Sequence, residues 1–98
     1  MKTTYEIECE SSKILTKAGL HYWFEEDCDE YFTIDIFNFH WLNNENMYNI
    51  FFNFFKENDF HPVYFYYGRK EIIFNETEFK DIITKRLYKL KIKFERKN

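Results

Sequence analysis

The sequence predicts an α+β fold. It reads as one compact domain over residues 1–98, a mainly antiparallel sheet of four to six strands packed on one or two amphipathic helices, 43–58 and 76–87. Three observations predict it. Apolar and charged residues alternate with period two in several short segments, as half-buried strands require. Two other segments place apolar residues at helical spacing. A chain of 98 residues is too short to divide into two independent cores.

Tyr5, Ile7 and Cys9 alternate with Glu6, Glu8 and Glu10, which predicts a first strand with Cys9 on its core side. Ser11 and Ser12 can then cap a short helical turn carrying Ile14, Leu15 and Ala18, with Gly19 as a left-handed terminator. A second strand through 11–19 competes equally. Leu20 to Glu25 and Tyr31 to Phe39 read as strands joined by the acidic loop Glu26-Asp27-Cys28-Asp29-Glu30. Past Ile36 the apolar phase reverses to Phe37, Phe39 and Trp41, and a bulge or twist would explain the switch.

Asn43 or Asn44 starts a helix, because a short amide accepts from the free amides of a first turn. Its buried face is expected at Met47, Ile50, Phe51, Phe54 and Phe55, widened by Tyr48 and Phe52, and it stops before Pro62. Val63 to Tyr67 and Lys70 to Phe74 form a hairpin about Gly68-Arg69, the glycine-first pair of a type II′ turn. Val63 to Tyr67 is apolar on both faces, which predicts that this strand lies centrally in the sheet. Asn75 caps a helix with Phe79, Ile82, Ile83 and Leu87 inward. Leu90, Ile92 and Phe94 then alternate with Lys89, Lys91 and Lys93, favouring a last strand over 88–95, although a continued helix fits nearly as well.

Charge is uneven along the chain. Residues 1–49 hold ten acids and three bases, and residues 50–98 hold seven acids and eleven bases. This predicts a molecule with a negative end and a positive end, unless the two halves meet and neutralise within the fold. There is no apolar run near the roughly 18 residues of a membrane helix, and the first residues lack the greasy centre of a secretory signal. A cytoplasmic protein with two reduced thiols, Cys9 and Cys28, is the expectation.

Chemistry has little to build on. His21, His40, His61, Cys9 and Cys28 are never two to five residues apart, so no zinc pair exists and no metal is expected. Ser11 and Ser12 lie in no glycine-bounded elbow, and carboxylates around Cys28 oppose thiolate formation. Two distant glycines cannot cradle a phosphate, so neither a cofactor nor a small-molecule substrate is expected. The chain reads as a binder, not an enzyme. Tyr22, Trp23, Glu25, Glu26, Asp27, Asp29 and Glu30 are the candidate contact residues, aromatic anchors beside a negative field. That surface suits a basic protein partner, such as a nuclease toxin neutralised by an immunity protein. A phage-encoded inhibitor of a host defence nuclease would use the same physics. From another class, Lys89, Lys91, Lys93 and Arg96 offer a contact for single-stranded nucleic acid, a reading opposed by the isoelectric point of 5.6.

Overall fold

The computed structural model describes residues 2–19, 21–37, 39–85 and 89–97, with the side chains of all of these except Glu26, Asp27 and His40. Three helices and a five-stranded antiparallel sheet make one α+β domain. The helices are α1 (Thr4–Lys17), α2 (Glu45–Glu57) and α3 (Glu76–Ile83). The strands are β1 (His21–Cys28), β2 (Tyr31–Phe37), β3 (Phe60–Tyr67), β4 (Lys70–Ile73) and β5 (Lys89–Arg96), in the spatial order β1-β2-β5-β3-β4. No helix among the described residues is long and apolar enough to cross a membrane.

The first element differs from expectation. The segment expected as a strand over 5–10 is the start of α1, and Ser11 and Ser12 sit in the middle of that helix instead of capping it. The cap is Thr3: its hydroxyl accepts from the Glu6 amide at 3.2 Å, and the Glu6 carboxylate accepts from the Thr3 amide at 3.4 Å. This reciprocal pair satisfies two amides that a helix start otherwise leaves bare. Burial then follows Thr4, Ile7, Ser11 and Leu15, a helical stripe, while Tyr5 and Cys9 face solvent. Cys9 is therefore not a core residue. Gly19 ends the helix at φ +75, donating to the Thr16 carbonyl at 3.0 Å, as its position in the sequence implies.

The acidic loop expected between β1 and β2 contracts to Asp29 and Glu30, because the strand continues to Cys28 through a bulge between Glu26 and Cys28. The phase switch after Ile36 has a different cause from the one expected. The strand ends at Phe37, and Phe39–Asn43 form a 3-10 turn that buries Phe39 and Leu42. Asn44 caps α2, accepting from the Met47 amide at 3.2 Å. Tyr48, Phe51 and Phe55 are the residues of α2 that are buried, whereas Ile50 is exposed, so the inward face is turned from the expected one. Tilted and edge-on ring contacts hold that turn, since Phe52 meets Phe74 and Phe79 at 5.6 and 5.5 Å between ring centroids.

β3 begins at Phe60, earlier than expected, and carries Pro62 at a bulge facing β5. β4 pairs only with residues 64–67 of β3, so the proline's missing N–H breaks no ladder there. Gly68 takes φ +63 while Arg69 does not, the signature of a type II′ turn. α3 follows the Asn75 cap but stops at Ile83, with Leu87 outside the described residues. The final segment is a strand. β5 enters between β2 and β3 and is the middle strand of the sheet, which makes β3 internal but not central.

All three helices cover one face of the sheet. Phe32, Ile34 and Ile36 of β2 and Leu90, Ile92 and Phe94 of β5 are wholly buried beneath them. Phe32 lies at 4.6 Å from Phe24, 4.9 Å from Phe60 and 5.2 Å from Phe94, ring to ring. Each such ring removes about 150–250 Å² from water, which lets so short a chain fill a core. The other face has no helix over it among the described residues.

Candidate functional site

The uncovered face is a grid set by strand register. Across one row run Trp23, Asp35, Lys91, Tyr66 and Glu71. The next row is Glu25, Thr33, Lys93, Tyr64 and Ile73. Phe37 pairs with Lys89 at one end, and Tyr31 with Glu95 at the other. Strand alternation explains the composition. Every second residue of β2 and β5 enters the core, so those between must face outward.

Large apolar groups are left in water here. Trp23 is 65 % exposed and Ile73 73 %, at opposite edges of the sheet, with Tyr31 at 36 %. Between them the charges interlock. The Lys89 ammonium lies 3.7 Å from Asp35, Lys91 3.8 Å from Glu25, and Lys93 4.0 Å from Glu95. These separations exceed the roughly 2.7–2.9 Å of a charge-assisted hydrogen bond, so the pairs are loose. Lys93 also stands 4.7 Å above the Tyr31 ring, and Lys91 5.5 Å from that of Tyr66. The Tyr66 hydroxyl donates to Glu71 at 2.8 Å, and this bond, with burial adding, pushes its pKa up. Thr33 donates to Glu25 at 3.3 Å.

Because β5 sits beside β2, the basic half of the sequence meets the acidic half. Among the described residues, Lys89, Lys91 and Lys93 are thus interleaved with Asp35, Glu25 and Glu95 on one face instead of forming a separate positive end, while Asp29 and Glu30 stay exposed at the β1–β2 tip.

The seven candidate contact residues do not stay together. Trp23 and Glu25 share the open face, while Tyr22 points through the sheet and packs against the core. Asp29 and Glu30 form the exposed hairpin tip, and the Glu26 and Asp27 side chains lie outside the described residues. Lys89, Lys91 and Lys93 do share the face. Arg96, offered by the sequence pattern to a polyanion, is buried instead. It points inward because β5 alternation puts it in phase with Phe94, and there its guanidinium donates to the Asp29 and Lys2 carbonyls at 2.9 and 2.8 Å. It also stacks 4.5 Å above Phe60. Arg96 is thus the pin joining the acidic tip to both ends of the chain.

No family model, curated protein or solved structure matches this chain. Its chemistry has to be taken from its own residues. Among the described residues no three His, Cys, Asp or Glu side chains gather as a metal site would require. Asp35, Tyr31, Glu71 and Ile73 join the face without having been singled out in the sequence, while Tyr64 and Tyr66 come from the strand read as apolar on both faces, whose tyrosines the sequence offers as display aromatics. Alternation supplied their phase, but their meeting depends on β5 entering between β2 and β3.

Proposed function

We propose that this chain is a non-enzymatic binding protein that docks another protein on its open sheet face and neutralises it. One observation supports this most. A face with no helix over it among the described residues presents an exposed Trp and Ile, with tyrosines and alternating charges between them. Trp and Tyr anchor protein interfaces because they bury much area at little rotamer cost, and mixed charge around them sets register. The face also speaks against single-stranded nucleic acid. Lys89, Lys91 and Lys93 stand among four carboxylates, Glu25, Asp35, Glu71 and Glu95, which would repel a polyanion.

The partner we favour is basic. Asp29 and Glu30 are exposed at the β1–β2 tip, next in sequence to Glu26 and Asp27, with the Asp29 carboxylate also accepting from the Thr4 hydroxyl of α1 at 3.5 Å. Such a tip can enter a cleft built to attract phosphates, as in a nuclease toxin, and an immunity protein is the reading that fits. The test begins by isolating the partner from the native host with the tagged full chain. Affinity of the purified partner is then measured for Trp23→Ala, Ile73→Ser and, on the helical side, Tyr5→Ala. Each face variant should lose about 2 kcal/mol, near thirtyfold, and Tyr5→Ala almost nothing. Loss confined to Tyr5→Ala would reject the face.

A further inference from the structure

The helical side of the molecule holds a second surface feature, independent of the docking face. A cleft of about 440 Å³ opens between α2, the start of β3 and the start of α3. One wall is aromatic. The Tyr48 and Phe52 rings lie 4.5 Å apart, and Phe74 continues the wall 5.6 Å from Phe52. Phe52 and Phe74 are only half-buried, so part of each ring remains available to something flat.

The other wall is polar. Asn49, Asn53 and Lys56 recur at helical spacing along α2 and line the cleft, their side chains all exposed. Neither the Asn49 nor the Asn53 side chain makes a hydrogen bond to another described residue. Lys97 reaches the same end of the cleft from the C-terminal side, its amide bonded to the Asp59 carbonyl at 2.6 Å. Lys56 and Lys97 have no ion-pair partner among the described residues. Two carboxylates also line the cleft. Glu76 is held by Lys80 at 3.1 Å, and Asp59, which also lines the cleft, has no ion-pair partner among the described residues. Among the described residues that end therefore carries two cations to one carboxylate, with His61 beside them.

We propose that this cleft binds a planar aromatic ring bearing one anionic group. The ring would lie on Phe52 and Phe74, its edge would meet the Asn49 and Asn53 amides, and its anion would sit between Lys56 and Lys97. The cleft is open and one wall is polar, so the aromatic wall supplies the apolar contact and the convergent polar groups would fix the ligand's orientation. Stacking and charge are supplied at opposite parts of the cleft, so neither half of the ligand alone should suffice. A nucleoside monophosphate and an aromatic carboxylate both carry this chemistry.

The full chain, labelled with ¹⁵N, is titrated with 5′-AMP, 4-hydroxybenzoate, adenosine and inorganic phosphate. AMP or 4-hydroxybenzoate should move the amide resonances of Asn49, Asn53 and Phe74, and whichever does so identifies the source. Adenosine and phosphate should each bind about tenfold more weakly than the intact anion. The double variant Lys56→Met, Lys97→Met alters only exposed side chains and should retain its unfolding midpoint while losing about tenfold in affinity. The proposal is overturned if neither ring anion moves those resonances by about 10 mM. It is overturned equally if phosphate alone binds as well, or if the double variant binds unchanged.

Discussion

Replacing Arg96 with Met should cost far more stability than its place near the C-terminus implies. The side chain is 7 % exposed and donates two charge-assisted hydrogen bonds, to the Asp29 carbonyl at 2.9 Å and the Lys2 carbonyl at 2.8 Å. Bonds of this type contribute roughly 1.5–3 kcal/mol each, and the contact with Phe60 adds about 0.5–1 kcal/mol. Against them stands the cost of burying a guanidinium, whose Nη1 has no partner among the described residues. Methionine keeps the apolar stem, removes both donors and relieves that cost, so the net loss should be about 2–3 kcal/mol. A domain of this size holds about 5–15 kcal/mol in all. With a urea slope of about 1–1.5 kcal/mol/M, the unfolding midpoint should fall by about 2 M at an unchanged slope. Arg96→Lys keeps the charge but cannot reach both carbonyls from one planar fork, and should recover less than half of the loss. If methionine left the midpoint in place, desolvation would outweigh the hydrogen bonds and Arg96 would be no pin. Full recovery by lysine would mean that charge alone matters.

Three further outcomes follow from the same structure. Asn75→Ala removes the acceptor of the Glu78 amide at 3.0 Å and should cost about 1 kcal/mol in urea unfolding, with α3 amides exchanging faster. Gly68→Ala meets open space but must keep φ +63, so strain alone should cost about 1–2 kcal/mol, read as a lower urea midpoint. Burial, with the Glu76 carboxylate adding to it, pushes the Tyr48 hydroxyl above its ordinary pKa of 10.0. The folded state then holds a proton that the unfolded chain releases, so stability is intact below about pH 10 and falls as pH rises beyond it. Tyr48→Phe should flatten that alkaline decline relative to wild type in urea unfolding at pH 9 to 11.

Elements whose signal is local were legible in the sequence. Asn44 and Asn75 sit where the caps are, Gly68-Arg69 makes the expected turn, and Leu90, Ile92 and Phe94 enter the core as strand residues. α1 was misread because Tyr5, Ile7 and Cys9 alternate over too few residues to separate a strand from a helix. The deciding signal was Thr3 followed three residues later by Glu6, a capping pair written in the chain. Ile50 shows the limit of spacing alone: it fits the inward stripe of α2, yet rings at Phe52, Phe74 and Phe79 turn the helix to leave it in water. The site depended on long-range pairing. Lys91 and Asp35 are 56 positions apart and became neighbours through register that local pattern does not carry. Arg96 looked like one of a basic run, and only the strand phase it shares with Phe94 marked it as internal.

If the bare sheet face and not the helical layer meets the partner, amide hydrogen exchange of the chain alone and bound to its purified partner will show it. Binding should slow exchange along the outer edge strand β1 and at the β1–β2 tip, and shift the Trp23 indole resonance, leaving α1 and α2 unchanged. Protection confined to α1 and α2, with the Trp23 indole unmoved, would mean that the partner docks on the helical layer instead.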